Sequence, residues 1–124
     1  MQRRLKTYGY YFLNFYNALG QDVQEKIDWV FEVVKAAEQI PKKFFEHITG
    51  SDGIYAIRIE YEGNIYRVLW FYDKGNIIVL VNSFQKKTQK TPPREITLAE
   101  KLKKQYFNDK KIDDENERNK KVRK

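Results

Sequence analysis

The chain has 124 residues, a net charge of +7, no cysteine and a single histidine, His47. It cannot form a disulfide framework or a thiolate metal site, and a histidine-rich metal centre is excluded as well. No stretch approaches the roughly 20 apolar residues that span a bilayer, and the first residues lack the apolar run of a signal peptide. We therefore expect a cytoplasmic protein that uses no cofactor and contacts no membrane.

Two helices are predicted after a short first strand. Residues 5–11 are rich in aromatic side chains and predict the strand. Apolar residues at spacings of three and four then predict a helix over Tyr11–Leu19 and a second over Asp22–Glu38. Asp22 and Glu25 resemble a capping box at the start of the second helix. Both helices are apolar on one broad side, so we expect this pair to pack on a sheet.

The segment from Pro41 to Gly53 is interpreted as a connector that ends in turn residues. Its two phenylalanines, Phe44 and Phe45, fit core positions. His47 lies between apolar neighbours, where a lone histidine is usually structural. We therefore expect His47 to have no part in catalysis.

Three antiparallel strands are the most regular part of the sequence. They are predicted over Tyr55–Tyr61, Ile65–Tyr72 and Ile77–Phe84, with hairpin turns at 62–64 and 73–76. The last two strands are apolar at nearly every position. We therefore expect both faces of the sheet to be covered for much of their length.

Arg67 interrupts the apolar pattern of the middle strand. It falls on the same strand face as Ile65, Leu69 and Phe71, where an unpaired guanidinium would be costly. Arg67 must therefore pair with a carboxylate, for which Glu60 on the neighbouring strand is a candidate, or open onto a polar cleft. Arg58 is also in mid-strand, and we place it on the solvated face.

Positive charge is concentrated directly after the third strand. Residues 84–104 contain seven lysines and arginines against two glutamates, whereas residues 21–83 carry a net charge of −3. Lys86, Lys87 and Lys90 lie within five positions of one another. A cationic loop held between a strand and a helix can bind phosphate, although such lysine clusters, taken alone, are more often solvated charge.

A last helix is predicted after this loop. Thr91 is the expected N-cap and Pro92 the first helical position. The apolar stripe of the helix runs to Tyr106, so the helix should dock along the sheet. Residues 108–124 are almost wholly charged and should be mobile, or helical only through a partner. The predicted domain therefore covers residues 1–107.

In order, these elements predict an α+β fold with an N-terminal strand and a two-helix hairpin packed on an antiparallel sheet, followed by a C-terminal helix. Three groups of residues carry a resemblance: Lys42–Phe45 with Gly53–Tyr55, then Gly63–Arg67, and above all the lysine-rich Phe84–Pro92 with Glu95, Ile96 and Ala99. They resemble the HigB-like, phage-derived Gp49-like branch of the RelE/ParE toxin superfamily. The resemblance covers roughly residues 5–107.

The resemblance implies a RelE-like fold and the toxin of a type II toxin–antitoxin system. Such a toxin is an mRNA interferase, an endoribonuclease that cuts translated mRNA in the ribosomal A site and so inhibits translation and growth. Its implied partners are the ribosome, mRNA and a HigA-like helix-turn-helix antitoxin. The residues themselves support a small protein with a cationic edge beside aromatic side chains, as RNA binding requires.

Metal-independent RNA cleavage by the ribose 2′-OH needs a proton acceptor, a stabiliser of the phosphorane and a proton donor for the leaving 5′ oxygen. Crowded lysines favour the neutral form of one of them, which could accept the proton, and a guanidinium can stabilise the phosphorane oxygens. The candidate catalytic residues are Arg67, Lys86, Lys87 and Lys90. The candidate RNA-binding residues are Arg58, Phe84, Tyr66 and Arg94, with Phe84 or an exposed Tyr66 stacking on a base.

Two other functions fit the same pattern. ParE-type members of the superfamily resemble this fold but act on DNA gyrase. A non-catalytic basic module that binds nucleic acid or protein would have the same distribution of charge. Cuts in translated mRNA after induction indicate the nuclease, DNA breaks with intact mRNA indicate the gyrase poison, and a basic adaptor predicts no toxicity.

Overall fold

The chain folds into a five-stranded sheet with helices on both faces. A computed structural model describes residues 2–87 and 90–122, with side chains as far as Arg118. In chain order the elements are β1 (Arg4–Thr7), α1 (Tyr11–Asn17), α2 (Gln21–Ala36), a single 3₁₀ turn (Lys42–Phe44), β2 (Phe45–His47), β3 (Tyr55–Tyr61), β4 (Asn64–Tyr72), β5 (Ile77–Lys86) and α3 (Pro93–Val122). None of the described helices combines the length and the apolar character needed to cross a membrane.

The sheet is mixed, with the strand order β1-β5-β4-β3-β2. β3, β4 and β5 form the predicted antiparallel meander, while β1 pairs parallel with β5 at one edge. Glu62 and Gly63, at φ 48° and 80°, form the two-residue turn between β3 and β4. Positive φ at both positions is typical of the type I′ turn, whose twist matches that of the strands. The α+β fold and its meander are therefore confirmed.

Each face of the sheet has its own hydrophobic core. α1 and α2 cover one face, where Trp70, Ile57 and Val30 are fully buried. α3 covers the other face, where it packs Ala99 and Leu102 against strand residues of β3, β4 and β5. The near-continuous apolar runs of β4 and β5 are explained by this two-sided burial.

Several predicted element boundaries differ from the structure, among them that of the first strand, which spans Arg4–Thr7 and not residues 5–11. The predicted connector contains β2, whose three residues are too few to show a strand pattern. Gly20 is the N-cap of α2 and no side chain caps this helix, so the predicted capping box of Asp22 and Glu25 is wrong. α3 begins at Pro93, one residue after the predicted first position, and the Pro92 carbonyl accepts the Glu95 amide.

α3 continues through the charged segment as far as Val122. Side-chain contacts hold the part of α3 just beyond residue 107 against the loops that follow β1 and β4. Tyr8 donates to Asp109 at 2.5 Å, and Lys110 lies 2.9 Å from Asp73. Tyr106 also donates to Asp73, at 2.6 Å. The boundary at residue 107 stays a prediction, and residues 123 and 124 lie outside the described part of the chain.

Candidate nucleic-acid interface

The start of α3 is fixed on the sheet by Asn82. This buried β5 residue donates from Nδ2 to the Glu95 carbonyl at 2.9 Å and to Glu95 Oε1 at 3.1 Å. Beyond this point β4 and β5 continue towards Ile65 and Lys86, past the first turn of α3. The candidate site lies at this end of the α3-side face.

Strand register brings several predicted site residues to this face. Arg67 is paired with Arg58 on β3 and with Phe84 on β5. Directly paired residues point to the same side of a sheet, so these three side chains form one row. Lys86 is paired with Ile65, and Ile65 lies two positions before Arg67 on β4. Lys86 is therefore a diagonal neighbour of Arg67 on the same face, with a Cα–Cα separation of about 7–8 Å.

Arg67 is buried, with 4% of its surface exposed. Its Nη2 donates to Glu46 Oε1 at 3.0 Å, and its Nη1 donates to Thr91 Oγ1 at 3.3 Å. Of the two predicted alternatives for Arg67, a carboxylate partner or a polar cleft, the structure has the carboxylate, but the predicted partner Glu60 is wrong, because Glu60 pairs with Arg58 at 3.3 Å. Arg67 Nε has no acceptor among the described residues. A buried donor without an acceptor is costly.

The lysines stand at both ends of the loop between β5 and α3. Lys86 is the half-buried last residue of β5, and Lys87 is exposed. Lys90 is exposed and directly precedes Thr91, whose hydroxyl contacts Arg67. The loop therefore leaves the sheet at Lys86, the diagonal neighbour of Arg67, and contacts Arg67 again at Thr91. Thr88 and Gln89 of the predicted loop lie outside the described residues.

Tyr66 does not belong to this surface, and its predicted role as an exposed stacking residue is wrong. Its exposed fraction is 5%, and its ring packs against Phe15 of α1 at 6.2 Å. The physical reason is strand alternation, because Tyr66 follows Ile65 and precedes Arg67 and so points to the opposite face.

The other three predicted RNA-binding residues are accessible in part. Arg58 is half-buried beside Glu60, and Arg94 is exposed in the first turn of α3. Phe84 is half-buried against the α3-side core.

Two residues of the site, Glu46 and Thr91, were missed as partners of Arg67. Glu46 is paired with Ala56, which places it on the α3-side face, while its neighbour His47 points to the other face and packs on Tyr55. The signal in the sequence was the alternation of Phe45, Glu46 and His47, which is too short to be distinguished from a loop.

In the part of the chain that the structure describes, no three histidine, aspartate or glutamate side chains are grouped as metal ligands would be. The site itself consists of a buried guanidinium ion-paired to a part-exposed carboxylate, with amines at the margin. Such a combination can bind a phosphodiester and can move a proton.

Comparison with known proteins identifies the family of the chain. No curated protein matches the chain significantly. The family model of the phage-derived protein Gp49-like family matches residues 14–104, which contain Glu46, Arg67, the lysine loop and the start of α3. This match covers most of the chain and agrees with the resemblance noted in the sequence. The chain therefore belongs to the Gp49-like phage-derived family, which is the HigB-like, RelE-type toxin family.

Proposed function

We propose that this protein is the toxin of a type II toxin–antitoxin system and acts as a metal-independent endoribonuclease that cleaves translated mRNA on the ribosome. Family membership supports the toxin role. The observation that supports the nuclease is the buried Arg67, which has one unsatisfied N–H and shares its sheet face with Lys86. A fixed donor group of this kind is suited to a phosphate that gains charge during reaction.

In the proposed reaction the ribose 2′ oxygen attacks the adjacent phosphorus atom and the bond from phosphorus to the 5′ oxygen breaks. The products are a 2′,3′-cyclic phosphate and a free 5′ hydroxyl. Arg67 donates to the non-bridging oxygens and stabilises the added negative charge, because its guanidinium remains protonated throughout. Lys86, Lys87 and Lys90 add positive charge and supply a proton to the leaving oxygen.

The proton of the 2′-OH goes either to a lysine, as the sequence suggested, or to Glu46. Glu46 lies 3.0 Å from Arg67 and its side chain is 31% exposed, so a ribose next to the bound phosphate can reach its carboxylate. Glu46→Gln keeps an acceptor for Arg67 but cannot take the proton. Loss of cleavage in a folded Glu46→Gln variant assigns the proton to Glu46, whereas retained cleavage assigns it to a lysine.

The proposed inhibitor is a HigA-like helix-turn-helix antitoxin. A cationic site that acts on RNA is most simply silenced by a protein that covers it or holds its elements apart. The toxin also offers apolar contact area away from this site, on and beside α1, where Tyr10, Tyr11 and Leu13 are exposed. We expect antitoxin binding to use both kinds of surface.

The test is induction of the wild type, Arg67→Ala and the control Lys74→Ala, an exposed cation in the turn between β4 and β5. Primer extension on a translated message should show cuts at codon positions for the wild type and the control, and none for Arg67→Ala. Circular dichroism checks that each variant is folded. Growth arrest by folded Arg67→Ala would overturn the mechanism. DNA breaks with intact mRNA would show a gyrase poison, and absence of toxicity would indicate a binding module.

A further inference from the structure

A second basic site lies at the free edge of β3. It is an open pocket of about 220 Å³, lined by Lys26, Lys43, Phe44, Arg58 and Glu60. Its three cations come from α2, from the 3₁₀ turn and from β3. Glu60 is the one carboxylate among the described lining residues, and it is already paired with Arg58 at 3.3 Å. The pocket therefore has an excess of positive charge that no residue of its lining neutralises.

Trp29 stands beside this pocket. Its ring packs edge to face on Phe44 at 5.9 Å, and Lys26 Nζ lies 4.9 Å from its ring centre. Half of Trp29, 51%, is nevertheless exposed, whereas Trp70 is fully buried. A large aromatic ring held in place by a neighbouring ring, open to solvent and flanked by cations, is the arrangement on which a nucleic-acid base stacks.

Arg58 connects this pocket to the candidate catalytic site. Its backbone is paired with Arg67 across β3 and β4, while its side chain lines the edge pocket. The guanidinium can reach the edge because β2 pairs with β3 only over Tyr55–Ile57 and leaves Arg58 at an open margin. Cationic groups therefore follow one path from Lys86 past Arg67 and Arg58 to the edge pocket.

We propose that the edge pocket is a second RNA subsite, in which Lys26, Lys43 and Arg58 bind a backbone phosphate and Trp29 stacks on an adjacent base. The occupant is the single-stranded RNA whose scissile phosphate lies at Arg67, so the proposal rests on the proposed function. RNA is favoured because the pocket combines cations with an exposed aromatic face, which a binding site for phosphate alone would not need. The subsite holds the strand and takes no part in bond breaking.

The probe is a short single-stranded RNA with 2′-O-methyl groups, which binds but cannot be cleaved. Because Trp70 is buried, Trp29 fluorescence should report binding directly and be quenched by a stacked base. Measured for every variant by the fluorescence anisotropy of an end-labelled copy of the same RNA, the affinity should fall about tenfold in Trp29→Ala and stay mostly unchanged in Trp29→Phe, which also loses the tryptophan signal. Each variant is first shown to be folded by circular dichroism.

The lysines are tested by the salt dependence of the same affinity. Lys26→Ala/Lys43→Ala removes two of the three cations that bind this phosphate and should reduce the slope of log affinity against log salt by up to about 0.7. Lys74→Ala/Lys111→Ala is the matched control, because both lysines are exposed and it loses the same charge elsewhere.

The subsite proposal would be overturned if the two double variants had the same RNA affinity and the same salt slope. It would also be overturned if Lys26→Ala/Lys43→Ala bound an acidic protein partner more weakly while its RNA affinity stayed unchanged. The two proposals can fail separately. Arg67→Ala tests cleavage, whereas this assay measures binding of an RNA that is never cut. RNA binding that depends on Trp29, without any cleavage by the wild type, would support the subsite and contradict the proposed nuclease activity.

Discussion

Removal of the Glu46 carboxylate should cost far more stability than removal of an exposed partner. Arg67 is buried, with its side chain 5% exposed, while the Glu46 side chain is 31% exposed. Without Glu46, the guanidinium keeps the Thr91 hydroxyl as its acceptor among the described residues. Breaking a fully buried pair costs about 3–5 kcal/mol, and partial access of water reduces this cost. We expect Glu46→Ala to lower the free energy of unfolding by about 2–3 kcal/mol.

The Arg58–Glu60 pair is the control. It has a similar separation, 3.3 Å, but its side chains are 32% and 60% exposed. Exposed pairs contribute about 0–1 kcal/mol, so Glu60→Ala should change the free energy of unfolding by less than about 1 kcal/mol. The double variant Arg67→Met/Glu46→Leu removes both charges and fills the space, and should return to within about 1 kcal/mol of the wild type.

Urea unfolding measures all four proteins, since a chain of this size is expected to unfold in one cooperative step. The midpoint should fall for Glu46→Ala and recover in the double variant, with the slope unchanged. Equal losses for Glu46→Ala and Glu60→Ala would refute the reasoning about burial. The recovered double variant also separates stability from catalysis, because we expect it to fold normally and to leave translated mRNA uncut.

Three further predictions concern other parts of the molecule. Burial, followed by the hydrogen bond to Asp73, raises the pKa of Tyr106 to about 12. The contribution of Tyr106 to the free energy of unfolding should therefore be full below about pH 10 and fall as the pH rises towards 12. Tyr106→Phe should make the accompanying fall in the urea midpoint smaller, and an unchanged fall would contradict this prediction. Glu62→Asn should raise the free energy of unfolding by about 0.5–1 kcal/mol, since asparagine adopts positive φ more readily, and a lower urea midpoint would contradict this. Gel filtration of the antitoxin complex should show it intact at about 1 M salt, where charges are screened within about 3 Å, whereas dissociation would mean a mainly electrostatic interface.

The meander was predictable because its strands are long and its turns carry their own chemistry. Alternation and turn residues fixed β3, β4 and β5 to within a few residues, and burial of Arg67 followed from its neighbours on the strand. The identity of its partner did not follow, because Glu46 reaches Arg67 through the short strand β2. Pairing between segments that are far apart in the chain cannot be predicted from the local sequence pattern.

Tyr66 and α3 show two other limits. The predicted position of Tyr66 on the RNA surface conflicts with strand alternation, because Tyr66 is adjacent to Arg67 and so lies on the opposite face, against Phe15 of α1. The charged part of α3, beyond Phe107, has no apolar stripe from which a helix could be predicted. The path from Arg58 to Trp29 was also not predictable, since it joins side chains of three elements around a sheet edge.

The parallel pairing of β1 with β5 determines when the sheet can close during synthesis. Residues Arg4–Thr7 are made early, yet their partners are Ile77–Leu80. A nascent chain therefore holds its first strand unpaired while the meander emerges, and such distant pairing slows closure. Thr91 follows later still, so the pocket around Arg67 cannot assemble on a half-made chain. The proposed RNA site around Arg67 can therefore form only after the chain as far as Thr91 has left the ribosome.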